Sequence, residues 1–187
     1  MKHLGTSLLA IVSLSTLLVL TQRSAHADRD DRPDTIEHQR IELGFSITPV
    51  HLKFEHEDRQ LVGLGSYLVN AVGGCNDCHT NPSYAVGGNP YLGQPKQVNA
   101  AHYLGGGQAF GPFISRNLTP ENGRPAGRSF GEFKNIMRTG IDYDNAHPHI
   151  SPLLQVMPWP LYQSMSDHDL LAIYEYLKAI PPATPGT

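Results

Sequence analysis

Gly73-Gly74-Cys75-Asn76-Asp77-Cys78-His79-Thr80 is the stretch of this 187-residue chain from which the rest can be read. Cys75 and Cys78 are its only cysteines, so a chemistry that uses one is expected to use both. Their spacing puts the two sulfurs about one helical turn apart, with His79 directly behind. A thioredoxin-like redox pair of this spacing sits after a strand in a βαβ unit, whereas here a helical pattern and two glycines precede it. A structural zinc site takes four ligands, and there is no second cysteine pair to help supply them. A Cys75–Cys78 disulfide would close too small a loop to stabilise much. The spacing matches the attachment pattern for one covalent c-type haem: each thiol adds to a vinyl group on one porphyrin edge, and His79 is placed to ligate the iron.

Upstream of the motif, Leu61, Leu64 and Leu68 recur at helical spacing between Asp58 and Val72, and Val62 and Val69 widen the stripe. This predicts a helix that stops at Gly73-Gly74. Two more helices have readable starts, Ser129 with Glu132 and Ser166 with Asp169, both resembling capping boxes. The first carries Phe130, Phe133, Ile136 and Met137 and ends at Gly140. The second carries Leu170, Leu171, Tyr174 and Leu177 and ends before Pro181-Pro182. Between motif and second helix, residues 80–128 are rich in Gly, Pro and Asn and predict a long irregular connection. Wrapping a large flat cofactor would justify such a loop. Gly105-Gly106-Gly107 lacks the following Lys and Ser or Thr of a phosphate loop, and predicts close passage of backbone past porphyrin. Asp142 and Asp144 lack the ligand series of a calcium loop and read as surface.

The N-terminus has the three parts of a secretory signal: Lys2, the apolar run Leu8–Leu20, and Ala25-His26-Ala27 as cleavage site. A run of 13 residues falls short of the roughly 20 needed to span a bilayer. The expectation is therefore a signal peptide at 1–27, a periplasmic or secreted mature chain, and no integral membrane segment after cleavage. Residues 28–57 read as a flexible charged tail followed by an extended arm. In that arm Ile41, Leu43, Phe45 and Ile47 alternate on one parity and Val50, Leu52 and Phe54 on the other. Residues 58–187 read as one domain. Loss of 1–27 removes two of the 14 basic residues and none of the 17 acidic ones, leaving a formal charge of −5; that balance argues against a nucleic-acid partner.

An electron-transfer haem has a second axial ligand, often Met or His. Met137 follows Phe133 at i+4 on an amphipathic helix, where core residues sit. Met165 precedes the N-cap Ser166 and faces Leu170, as in a hydrophobic staple. Met157, in Gln155-Val156-Met157-Pro158-Trp159-Pro160, has no helical period to explain it, and the prolines stiffen the backbone around it. It is the candidate distal ligand, so the iron ligands predicted are His79 and Met157. His147 and His149 are the runners-up, while His51, His56, His102 and His168 read as solvent-facing or hydrogen-bonded.

These residues resemble those of bacterial class I cytochromes c, particularly the monohaem domains of cytochrome subunits of periplasmic dehydrogenases. Gly65-Ser66-Tyr67-Leu68 leading into Cys75–Thr80 carries the resemblance, with Asn117-Leu118-Thr119-Pro120, the helix from Phe130 to Gly140, Met157-Pro158-Trp159, and the last helix. It implies an all-α, cytochrome c-like domain of about three main helices with long loops around one haem, plus the extended N-terminal arm. It also implies that Met157 is the distal ligand and that Gly65 or Tyr67 meets Tyr174 or Leu177 where the first and last helices cross. Asn117 and Thr119, helped by Arg116, Arg124 or Arg128, are implied near a haem propionate; as a plain reading, Asn117 starts a turn and the arginines are solvated. The function implied is single-electron transfer in the periplasm, with a dehydrogenase or terminal oxidase as partner. Two alternatives stand beside it: a five-coordinate haem enzyme or gas sensor, and a cytochrome subunit docked to a periplasmic dehydrogenase.

Overall fold

The computed structural model describes residues 32–143 and 151–186; the predicted signal segment, His147, His149 and Asp144 lie outside the described residues. The chain divides into two compact units, one ending at Gln39 and one running from Arg40 onward. The cysteine motif lies within the second.

Among the described residues the regular secondary structure is helical apart from two tiny hairpins, as the sequence predicts. The helices are α1 (Arg32–Ile47), α2 (Arg59–Tyr67), α3 (Cys75–His79), α4 (Phe130–Thr139), α5 (Trp159–Tyr162) and α6 (Asp167–Ala179). The three expected main helices are α2, α4 and α6; α4 and α6 begin at the predicted serine caps, and α2 is capped by Asp58. The Asp58 side chain accepts from Gln60 N–H, Ser129 and Glu132 close a full capping box, and Ser166 accepts from Asp169 N–H. Caps of this kind stabilise a helix by about 1 kcal/mol each. Beyond Tyr67 the chain continues as a π-helical turn, Leu68–Val72, before it reaches the motif.

Helix α1 departs from the sequence reading. Residues 32–47, read as tail and alternating extended segment, form one 16-residue helix, and residues 48–57 after it are without regular structure. Ile41 and Gly44 are buried and Phe45 half-buried, whereas Leu43 is 46% exposed. The inward positions are therefore i, i+3 and i+4, not every second residue. Both patterns share i and i+4, and the Ile41/Phe45 pair satisfies either one. Thr48-Pro49 ends the helix, because the residue before proline is biased out of the α region. As expected, the following segment lies along the domain: Lys53 N–H donates to Ala179 O at 2.8 Å, and Val50 and Leu52 pack on the core.

Helices α2 and α6 cross in direct contact at Gly65. A β-carbon there would stand 1.9 Å from Ala172 O and 2.7 Å from Tyr176 Cβ, so no side chain fits. The partners are thus Ala172 and Tyr176, four apart on one face of α6, rather than the predicted Tyr174 or Leu177. Tyr174 points to α4 instead, with its ring centroid 5.4 Å from Phe130 and 5.6 Å from Phe133.

The long connection over residues 80–128 holds two 3₁₀ turns, Pro90–Leu92 and Ala100–His102, and two hairpins. Strands β1 (Ala109–Phe110) and β2 (Phe113–Ile114) form one, β3 (Pro120–Glu121) and β4 (Arg124–Pro125) the other. Residues 180–186 return along this loop. Gly105 lies against Thr184, Gly106 against Arg116 and Asn117, and Gly107 against Pro185. The three glycines predicted to skirt a porphyrin are accounted for by this passing backbone.

Candidate cofactor site

Gly74 takes φ +60° with open space around its Cβ position, so a backbone turn alone calls for glycine there. That turn breaks the chain away from the π-helical segment and starts α3, one turn of helix carrying Cys75, Cys78 and His79. The two thiols are not joined to each other. Burial pushes the Cys75 thiol up to about 12, and burial and then the Asp77 carboxylate also raise Cys78. Both are held as thiols, and each residue is partly buried.

The His79 ring is fixed by one bond, with Nδ1 2.8 Å from Arg116 O. A carbonyl can only accept, so Nδ1 carries the proton and Nε2 keeps its lone pair. Burial lowers the His79 pKa, the Arg116 charge acts in the same direction, and the bond to the Arg116 carbonyl opposes them. The imidazole is therefore neutral, the form that ligates metal. Its backbone is held as tightly: Gly106 N–H donates to His79 O at 2.7 Å, and Leu104 N–H to Thr80 Oγ1 at 2.9 Å.

Met157 lies half-buried against the same core cluster that Cys75 packs on. Trp159 N–H donates to Met157 O at 2.8 Å, and Tyr162 Oη donates to Gly73 O at 3.0 Å, which fastens the segment after Met157 to the turn before Cys75. Met137 is core, at 6% exposure, and Met165 packs on the cluster containing Leu170, matching the structural roles predicted. His51, His56 and His168 are exposed, and His102 Nδ1 lies 2.9 Å from Thr184 O. Among the described residues no group of three or more His, Cys, Asp or Glu is arranged to hold a metal ion.

The Asn117 and Thr119 side chains are bonded to each other and to Ala183. Asn117 Nδ2 donates to Ala183 O at 2.7 Å, and its Oδ1 accepts from Thr119 N–H and Oγ1, so the turn reading holds. Arg124 is exposed, as the plain reading expects, but Arg116 and Arg128 are not. Arg116 and Arg128 both pair with Asp142, at 2.7 and 2.9 Å. Asp142, read as surface, is buried at 3% exposure; a carboxylate between two guanidiniums has the charge partners that burial demands.

The sequence reading missed a closed polar ring behind the motif. Tyr103 Oη donates to Asn70 Oδ1, so the 3.0 Å contact between the two phenols has Tyr176 donating to Tyr103. Asn70 Nδ2 completes the circuit by donating to Tyr176 Oη at 3.1 Å. Thr48 Oγ1 and Ser66 extend it, Ser66 Oγ reaching Gly44 O at 2.7 Å. Asn70 sits in the π-helical turn, and such turns recur at functional sites; a sequence scan sees only an asparagine on a helix.

No family model matches the chain, but curated relatives do. Over 115 residues, 61% of this chain, it is 32% identical to one of the subunits of the nicotinate dehydrogenase of Pseudomonas putida, covering 8% of that protein. Over 120 residues, 64% of the chain, it is 32% identical to the cytochrome c subunit of the quinone alcohol dehydrogenase of Gluconacetobacter polyoxogenes, covering 22% of it. Over 117 residues, 62% of the chain, it is 31% identical to the gluconate 2-dehydrogenase cytochrome c subunit of Pantoea cypripedii, again covering 22%. The match thus spans less than a quarter of each relative's length. By these matches, and with a mostly helical fold around a Cys-x-x-Cys-His turn, the chain is similar to part of the cytochrome c subunits of bacterial dehydrogenases.

Proposed function

We propose that the chain is a periplasmic single-electron carrier with one c-type haem bound covalently through Cys75 and Cys78 and ligated by His79 and Met157. The observation that carries this reading is the His79 ring: neutral, held at Nδ1 by Arg116 O at 2.8 Å, with Nε2 free, one residue after two unjoined thiols on a single helical turn. A ligating histidine whose other nitrogen is hydrogen-bonded has its orientation and basicity set by that partner. Bound there, the haem supplies a one-electron ferrous–ferric couple.

The chain's own residues set access and potential. Cys75 and Cys78 would hold the porphyrin edge through thioether links. Met157 offers a soft thioether, which raises the potential relative to a second imidazole. Pro158 and the bond from Trp159 N–H restrict where that sulfur can go. Val72, Val156 and Leu161, 62%, 41% and 76% exposed, flank the motif and Met157 in sequence. Exposed apolar side chains near both segments in sequence suit a large flat cofactor.

A spectrum tests the ligation. Purified ferric protein is expected to show the weak far-red methionine-to-iron band, and Met157→Ala to abolish it. High-spin ferric haem in the wild type would instead point to the five-coordinate enzyme or gas sensor.

The names of the relatives favour a second, compatible reading, in which the chain works while docked to a periplasmic dehydrogenase. Among the described residues no helix is long and apolar enough to cross a membrane, so docking would rest on protein contacts. Deleting residues 28–56 and measuring electron uptake from a substrate-reduced dehydrogenase checks whether the N-terminal segment contributes.

A further inference from the structure

We infer that Asp142 is a positioning residue that ties the His79 side of the site to the Met157 side and governs how firmly Met157 is held; the inference rests on the ligand reading above. Its side chain is 4% exposed, with Oδ2 in ion-pair contact with Arg116 Nη2 at 2.7 Å and Oδ1 accepting a hydrogen bond from Arg128 Nη2 at 2.9 Å. Arg116 is the residue whose carbonyl aims the His79 ring. Arg128 precedes the N-cap of α4, and its carbonyl accepts from Tyr174 Oη of α6 at 2.9 Å. Through its side chain, Asp142 is thus joined to the loop that orients His79 and to two helices of the frame.

Through its backbone, Asp142 reaches the other way. Its N–H donates to Pro152 O at 2.7 Å, Leu154 N–H donates to Gly140 O at 2.8 Å, and between them Ile141 pairs antiparallel with Leu153. Three residues beyond Leu154 stands Met157. The chain leading to the proposed ligand therefore hangs on a short pairing in which Asp142 is the member anchored to Arg116 and Arg128. Neutralising its carboxylate would leave two guanidiniums facing each other in a largely buried site, where repulsion is little screened. That repulsion would loosen the pairing. His79 would stay in place, because α3 and its bonds to Gly106 and Arg116 use backbone groups that Asp142 does not touch.

The test uses holoprotein of Asp142→Asn, Asp142→Glu, Arg116→Gln and Met157→Ala, comparing covalent haem content, the far-red band, the reduction potential and carbon monoxide capture by the ferrous form. Asp142→Asn is expected to keep its covalent haem, lose much of the band, fall in potential, and take up carbon monoxide about tenfold faster as Met157 lets go. Asp142→Glu should restore the band. Arg116→Gln keeps the carbonyl at His79 and the Arg128 pair, so it should fall between, and it carries the test if Asp142→Asn does not fold. Wild-type band, potential and carbon monoxide rate in both Asp142→Asn and Arg116→Gln overturn the tie. A band that survives in Met157→Ala instead overturns the ligand reading beneath it.

Discussion

His79 and Met157 stand on chain segments of opposite construction. His79 closes one turn of helix, directly behind the two cysteines, and its ring and carbonyl are bonded to Arg116 O and Gly106 N–H, both backbone groups. Met157 sits in a proline-rich stretch with no long helix of its own. It is located by distant ties: Tyr162 to Gly73 O, Asp142 N–H to Pro152 O, and the Ile141–Leu153 pair. A turn next to the cysteines together with backbone bonds from a distant loop holds the His79 side, and tertiary contacts without such a turn hold the Met157 side. Segments held by few contacts lie at the low end of local stability, so the two sides should differ in how easily they let go.

Four changes would break or sharpen that contrast. The largest effect is expected from Cys75→Ser with Cys78→Ser, which should remove all covalent haem, read as loss of haem staining after denaturing electrophoresis. Haem retained through denaturation would mean the local motif is not the attachment point. Next comes Gly65→Val, which forces a side chain into the Ala172 carbonyl where α2 and α6 cross. Overpacking should cost about 3 kcal/mol in denaturant unfolding and disturb both sides together, because both hang on this frame. Tyr162→Phe is expected to be milder, about 1 kcal/mol, through loss of the bond to Gly73 O. Hydrogen exchange should quicken over residues 157–162 and leave α2 and α6 unchanged; equal quickening everywhere would erase the contrast. The smallest effect belongs to Asp167, which joins α6 to α4. Its bonds to Arg138 and Lys134 hold its carboxyl below the usual carboxylate range. A pKa lowered by folding adds stability that is present above the unfolded value, about 4, and is lost as pH falls through the folded value. Asp167→Asn should therefore flatten part of the acid limb of a stability–pH profile, weakly and less at high salt, since the group is exposed.

Much of the frame was legible because its signals are local. A capping serine three residues before Glu132, a leucine stripe, and glycines at the ends of α4 and before α3 all act within a turn or two. Helix α1 was misread because Ile41, Phe45 and their neighbours fit two periods at once. Only burial of Gly44 against exposure of Leu43 separates them. Asp142 was misread for another reason: its partners Arg116 and Arg128 lie in a different stretch of chain, and no local pattern announces an ion pair. Nor could spacing assign Tyr174 and Tyr176 to different neighbours, α4 for one and the Asn70–Tyr103 ring for the other.

The sequence by itself determined the cysteine turn, the imidazole behind it and the three helices that carry the core, because each depends on spacing along a few residues. Tertiary structure decided which nitrogen of His79 stays free, where Asp142 sits, and what fastens the segment of Met157. Those outcomes depend on groups far apart in the chain meeting at hydrogen-bond distance, and that information resides in packing rather than in periodicity.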